Sequence, residues 1–309
     1  MKFVYFGSGY FSRCVLGSLC AKKNVPALVV SQLDKAQGRG MKLAPMEATA
    51  FAQESNLPFV TPHSLKNKET IDTIASIKPE IIVVADYGKL LPTEILRIPS
   101  IMPLAVHPSL LPRWRGAAPI ARAILNGDTT TGIAIFKMNE KLDAGEIISV
   151  RKVSIVPGED VRTLTARMGP EGAQALIEAM DAIAKKQYTL TPQDETKATY
   201  AEKFSKEEGR IRWDNEAARI DAHIRATAGW PGAYTFFNTL LIKIIEVEII
   251  PESLRQAPAT IIAVTRNGID VATARGTVRI KKLKPQGKKE MDAYAFTLGH
   301  PIAPGDTLI

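Results

Sequence analysis

The sequence predicts a doubly wound α/β domain with a parallel sheet, joined to a smaller C-terminal β-barrel. Three observations carry that expectation. Short apolar runs alternate with helix-like segments through the first half of the chain, a polar and turn-rich stretch then breaks the pattern, and the remainder consists mostly of short strand-like runs punctuated by Pro, Gly and Asn.

Taken in order, strands are expected at 2–6, 26–31, 80–85, 101–106 and 131–138, each an apolar run of the length a buried strand needs. Helices fill 10–21, 46–55, 68–76, 116–126 and 161–184. In the last of these, Leu164, Met168, Leu176, Met180 and Ile183 recur at helical spacing. This alternation is Rossmann-like. Periodicity fades after residue 185, where polar and turn-forming types accumulate, so the expected limits are a first domain at 1–188, a linker at 189–205 and a second domain at 206–309. A helix at 215–226 opens the second domain, followed by strands at 232–237, 241–249, 259–265, 269–273 and 277–283. A small OB-like barrel accommodates them, and barrels of this size often bind nucleic acid.

With 309 residues and 45% hydrophobic content, two cored domains can form without covalent staples. Cys14 and Cys20 lie in one helix-like stretch and the four histidines do not cluster, so neither a disulfide framework nor a metal site is expected. The chain passes from Met1 straight into a strand-like run, and no apolar segment approaches membrane-spanning length. A cytoplasmic protein without membrane association is expected. No apolar heptad signals pairing, so a monomer is the default.

The formal charge of +8 points towards an anionic partner without specifying one. Its distribution says more: Arg275, Arg279, Lys281, Lys282, Lys284, Lys288 and Lys289 occur between 275 and 289 without one acidic residue. That stretch reads equally as a phosphate-facing surface and as a solvated hairpin whose lysines discourage edge pairing.

Two segments are candidates for chemistry. Gly7-Ser8-Gly9-Tyr10-Phe11-Ser12 resembles a phosphate-binding turn, but it lacks the third glycine, and Asp34, at a suitable distance, falls in a polar loop. A tight strand-to-helix turn that shapes a neighbouring pocket is the better account. The run Val106-His107-Pro108-Ser109-Leu110-Leu111-Pro112-Arg113-Trp114-Arg115-Gly116-Ala117-Ala118-Pro119-Ile120 starts at the end of a strand, where open α/β sheets bind ligands. His107 can donate to developing negative charge or exchange a proton there. Leu142-Asp143-Ala144-Gly145-Glu146, just beyond the next strand, is expected to bring a carboxylate to the same edge, where Asp143 would orient the ring.

At these residues the chain resembles the methionyl-tRNA formyltransferase family over nearly its whole length. His107-Pro108-Ser109-Leu110-Leu111-Pro112 is shared by enzymes that use 10-formyltetrahydrofolate, Arg113-Trp114-Arg115-Gly116-Ala117-Ala118-Pro119 narrows the match, and Leu142-Asp143-Ala144-Gly145 resembles the second catalytic motif. The resemblance implies transfer of a formyl group from 10-formyltetrahydrofolate to the α-amine of methionyl initiator tRNA, with His107 and Asp143 catalytic. It also implies that Ala85, Asp86, Tyr87, Gly88, Leu90, Leu91 and Pro92, with Ser109, Leu110, Leu111 and Pro112, line the folate pocket. Asp34 to Lys42 match the loop that enters the acceptor end of the tRNA, with Lys35, Arg39 and Lys42 as contacts. The C-terminal barrel, with Arg279, Lys281, Lys282, Lys284, Lys288 and Lys289, would support the tRNA. No metal is required.

One position departs from the family pattern. Its formyl-handling motif reads Asn-x-His, whereas this chain reads Ala105-Val106-His107. Losing one oxyanion donor costs on the order of 10²–10³ in turnover, or about 3–4 kcal/mol. Three readings follow: an impaired active site, a tRNA-binding homologue without catalysis, or an enzyme in which water or another amide replaces the donor. A formyltransferase of reduced or rescued activity is the expectation. A formyltransferase acting on a small amine is the enzymatic alternative, and it does not need the basic barrel.

Overall fold

Five consecutive buried residues, Phe3–Gly7, form β1, the central strand of the first sheet. In the computed structural model, which describes residues 1–37, 42–250 and 256–309, the chain continues through α1 (Tyr10–Ala21), β2 (Leu28–Val30), β3 (Lys35–Gln37), β4 (Lys42–Ala44), α2 (Glu47–Glu54), β5 (Phe59–Val60), α3 (Lys68–Ser76), β6 (Ile81–Ala85), α4 (Thr93–Leu96) and β7 (Met102–His107). It then forms β8 (Arg115–Gly116), α5 (Pro119–Asn126), β9 (Thr130–Lys137), β10 (Ile147–Ser154), α6 (Val161–Ala184) and β11 (Tyr200–Ala201). After these come α7 (Ala217–Ala226), β12 (Tyr234–Phe237), β13 (Leu240–Ile250), β14 (Ile261–Thr265), β15 (Gly268–Ala272), β16 (Thr277–Pro285), β17 (Met291–Asp292) and α8 (Ala293–Gly299).

Two compact units result: Met1–Ile120 with Thr130–Ile155 and Thr163–Glu202, and Ala121–Thr129 with Val156–Arg162 and Lys203–Ile309. The first contains a seven-stranded sheet in the order β10-β9-β7-β6-β1-β2-β5. Strands β5, β2, β1, β6 and β7 run parallel, and their winding reverses between β1 and β6, the switch point of a Rossmann-like sheet. Apolar side chains of Val4, Phe6, Ile82, Val84 and Phe136 share one core cluster. Segment 131–138 departs from the parallel expectation, because β9 runs antiparallel to β7 and β10 antiparallel to β9. A hairpin needs no crossover helix, and an apolar run carries no mark of strand direction. Cys14 is a packing residue: a Cβ on Gly169 of α6 would sit 2.3 Å from its Cβ, so the missing side chain lets α1 and α6 close up. Both cysteines are free.

Residues 189–202, expected as linker, are bonded into the first unit. Thr191 and Ile147 exchange backbone hydrogen bonds of 2.9 and 2.8 Å, Arg115 N donates to Thr199 O at 2.8 Å, and β11 pairs with β8. The polar composition that suggested a linker supplies the side-chain and backbone partners of these short bridges.

The second unit is an antiparallel sheet in the order β12-β13-β16-β15-β14, with β17 beside β16. The C-terminal residues close it: Ile309 exchanges backbone bonds with Phe236 of β12, while Leu308 N donates to Ala259 O and Ile261 N to Asp306 O beside β14. Among the described residues, this terminal segment bridges the β12 and β14 edges. Inside lie Ile242, Ile244, Ile261, Val271, Val278, Ile280 and Phe296.

On α7, His223 Nε2–H donates to Glu208 O at 2.6 Å, and burial pushes the imidazole below its ordinary range against a smaller opposing pull from that carbonyl. The folded chain therefore holds His223 neutral where the unfolded chain binds a proton, so stability rises with pH across that window. Urea titrations are expected to show stability falling as pH drops from about 7 to about 5. His223→Gln, which keeps a donor but cannot titrate, should flatten the slope. An unchanged slope in the variant would assign the effect elsewhere.

Candidate active site

Gly7 at the end of β1 pairs with Ala85 at the end of β6, Val84 pairs with Ala105, and β7 ends in His107, so three chain turns converge at the switch-point edge. In the first turn, Ser8 N and Gly9 N both donate to Asp86 O, at 3.0 and 3.2 Å. Those N–H groups are engaged and do not face a phosphate. A Cβ on Gly9 would fall 2.0 Å from Asp86 Oδ2, which explains the glycine by close approach.

The turn after β6 takes a left-handed backbone at Asp86 (φ 47°) and Gly88 (φ 77°). It buries Tyr87 edge-on against Phe6, with ring centroids 5.4 Å apart, and burial pushes the Tyr87 phenol up to about 12. Buried Gln32, which the sequence reading passed over, donates from Nε2 to Tyr87 O and braces this turn. Leu91 points inward, whereas Leu90 is exposed. Lys89 to Pro92, with His63 to Lys66, line a cavity of about 290 Å³. His63 to Lys66 are wall residues that the sequence reading did not name.

After β7 the loop is locked by its own side chains. Ser109 is fully buried and its Oγ–H donates to Arg113 O at 2.6 Å. The Leu111–Pro112 peptide is cis, Leu111 is buried, and Leu110 packs where a Cβ on Gly132 would meet it. Ser109 and Leu110 thus shape the loop from behind.

His107 is 6% exposed, with both ring nitrogens facing acceptors: Nε2 lies 2.9 Å from Trp114 O and Nδ1 lies 3.6 Å from Asp143 Oδ2. A carbonyl oxygen can only accept, so Nε2 carries a hydrogen. The Asp143 contact is an ion-pair distance, too long for a hydrogen bond. The same Oδ2 accepts a 2.8 Å bond from Gly116 N, which fixes the carboxylate independently of the ring.

The pair meets, but not as the sequence suggested. Because β9 is antiparallel, Leu104 faces Lys137 and His107 faces Ala134, so β9 ends away from His107. The 139–146 turn brings Asp143 back. Its backbone is left-handed there (φ 47°), Lys137 N bonds Glu146 O at 2.9 Å, and a Cβ on Gly145 would lie only 1.8 Å from Lys137 O. Ala105 is buried in the cluster that includes Tyr87, Leu91, Leu111 and Phe136. Alternation along β7 places it on the same face as His107, without an amide.

The basic stretch is less free than its sequence implies. Strands β13 and β15 set acids beside it: Arg279 forks onto Asp270 at 2.7 and 2.9 Å, Lys282 meets Glu246 at 2.8 Å, and Lys281 approaches Glu248 at 3.8 Å. Arg275 pairs with Glu216. Lys284, Lys288 and Lys289 have no ion pair among the described residues. Arg39 lies outside the described residues, as do the side chains of Lys35 and Lys42. Among the described residues, no group of three His, Cys, Asp or Glu side chains is placed to hold a metal, and no helix is long and apolar enough to cross a membrane.

An open α/β sheet with a histidine–carboxylate pair at its switch-point edge is the frame of a ligand-binding α/β enzyme. The chain belongs to the formyl transferase family: residues 1–180 match its Formyl transferase domain and residues 203–301 its Formyl transferase, C-terminal domain. It is 38% identical over 303 residues to the methionyl-tRNA formyltransferase of Methylococcus capsulatus, covering 98% of each chain. It is 40% identical over 312 residues to that of Caldicellulosiruptor saccharolyticus, covering each chain in full. Among solved structures, the fold resembles WlaRD, a sugar 3N-formyl transferase, with TM-score 0.65 and 17% identity over 94% of this chain and 99% of that one. HypX from Aquifex aeolicus in complex with tetrahydrofolic acid matches with TM-score 0.65 and 16% identity, over 96% of this chain and 47% of that one.

Proposed function

We propose that this protein transfers a formyl group from 10-formyltetrahydrofolate to the α-amine of methionyl initiator tRNA. The observation that carries the reading is identity of 36–40% across essentially the whole chain, second domain included, to methionyl-tRNA formyltransferases. The approach of His107 and Asp143 to 3.6 Å supports it.

The amine of an aminoacyl ester titrates at or below the α-amino range of about 7.7–8.0 and is a ready nucleophile in its neutral form. Its lone pair attacks the formyl carbon, the carbonyl electrons move onto oxygen, and the resulting oxyanion is steadied by the Nε2–H of His107, drawn from Trp114 O. The nitrogen gives up a proton by way of Asp143. The bond from carbon to the folate nitrogen then breaks, and that nitrogen takes the proton and leaves as tetrahydrofolate. At 3.6 Å the carboxylate acts on the ring through charge, not through a hydrogen bond. The folate reaches the edge along the cavity walled by Leu90, Leu91 and Pro92. The loop at Lys35, Arg39 and Lys42 enters the acceptor end of the tRNA.

The test offers the protein 10-formyltetrahydrofolate with charged initiator tRNA, charged elongator tRNA or an amino-sugar nucleotide. Formylation of initiator Met-tRNA is expected. Transfer only to the sugar would replace the reading by the small-amine alternative, and tRNA binding without transfer would make the chain a silent module. Within the barrel, backbone contact falls to Lys284, Lys288 and Lys289, which have no ion pair among the described residues. Neutralising each should weaken all tRNAs alike and reduce the log–log salt slope by roughly 0.7–1. Arg279→Ala should leave the slope alone and destabilise the sheet through unpaired Asp270. Equal slopes for the lysine variants and the parent would remove that surface from the interface.

A further inference from the structure

We infer that Gln193 is a positioning residue for the reaction, acting through Asp143, which rests on the role proposed for Asp143 above. Gln193 belongs to the segment expected as linker. Its Nε2 donates to Asp143 O at 2.8 Å and to Gly145 O at 2.7 Å. Its Oε1 accepts from Arg115 Nε at 3.1 Å and Nη2 at 2.8 Å. The amide is therefore fixed in one orientation, because a flip would set its oxygen against two carbonyls and its hydrogens against a guanidinium.

Arg115 anchors this arrangement. Only 2% of it is exposed, and a buried guanidinium is tolerated only when paired and bonded. Glu195 does this with a second fork, Nη1 to Oε2 and Nη2 to Oε1, both 2.9 Å, which holds Arg115 protonated and lowers the Glu195 carboxyl. The fork geometry leaves Gln193 little freedom.

The turn needs such a hold. Asp143 is non-glycine in the left-handed region, and Gly145 is jammed against Lys137 O. Gln193 clamps the carbonyl of Asp143 itself and the one two residues later, while Gly116 N holds its carboxylate. Backbone and side chain of Asp143 are thus fixed from two directions, leaving Oδ2 facing His107.

The experiment uses the full chain with Gln193→Met and Gln193→Glu. The Glu variant keeps an acceptor for Arg115 and sets a carboxylate oxygen against the two carbonyls in place of the donors, so it carries the test if the Met variant does not fold. Both should lower kcat about 10–100-fold with KM for the folate within roughly threefold of the parent, the pattern of a displaced reacting group. In an Asp143→Asn background the same changes should cost less than about twofold, because they act through the carboxylate. Independently of turnover, the Gly116 amide proton, which reports the bond to Asp143 Oδ2, should shift and exchange faster in both variants, while amides of β6 stay put. Parental kcat with an unmoved Gly116 resonance would overturn the inference, as would equal losses with and without Asp143. If the parent transfers no formyl group, the functional reading fails, and the Gly116 resonance still decides whether Gln193 holds the turn.

Discussion

Asp143→Asn is expected to lower kcat by roughly 10²–10⁴-fold, the usual range for removing a positioned proton-handling group, with KM for both substrates nearly unchanged. The substitution is clean. Asparagine tolerates the left-handed backbone at φ 47° as well as aspartate does, and its Oδ1 can still accept from Gly116 N. The turn should keep its shape while the negative charge opposite His107 disappears. Steady-state kinetics separate the terms, and the thermal midpoint should stay close to the parent's. Turnover within a fewfold of the parent would take Asp143 out of the chemistry and leave it a structural residue of the hairpin.

The second large effect is a gain. Ala105→Asn restores the family's amide on the face of β7 that carries His107, and turnover is expected to rise by about 10²–10³-fold. The same change should cost stability. Ala105 is buried among apolar residues such as Leu91, Leu111 and Phe136, so a longer polar side chain overpacks the cluster until a substrate oxygen satisfies it, at about 1–3 kcal/mol. Activity up with thermal midpoint down is the signature. A parent already as fast as the variant would mean that another group supplies the donor. Inactivity of both would favour the silent tRNA-binding module.

Much of the architecture was legible in the amino-acid order, for physical reasons. Buried parallel strands such as Phe3–Gly7 and Ile81–Ala85 are apolar throughout because both faces are covered, and α6 shows its stripe from Leu164 to Ile183. Direction was not legible, since β9 has the composition of a parallel strand and runs the other way. The partial exposure of β10 also hid it: an edge strand with Val150 in solvent carries a weak apolar signal. At the site, His107 and Asp143 were identifiable by residue type and motif, yet their meeting depends on a returning turn that only coordinates reveal. The lysines after 275 illustrate the opposite error. A run without acids looks unpaired in one dimension, and Glu246, Glu248 and Asp270 neutralise part of it from adjacent strands. Gln193 had no signal at all, because a glutamine in a polar stretch is unremarkable until its amide is seen to bridge two carbonyls.

The strip from Thr191 to Ala201 has a bearing on how this protein can be dissected. An excised piece ending with α6 at Ala184 would carry every strand of the open sheet, yet it would strip Arg115 and Trp114 of their backbone partners and remove the companion of β8. A fragment that keeps these bonds therefore ends no earlier than Glu202, where the last segment of the first unit stops. Exchanges of the barrel between relatives should be spliced beyond that residue, since grafts joined upstream would replace Gln193 and Thr199, which hold the 139–146 turn and Arg115 in place.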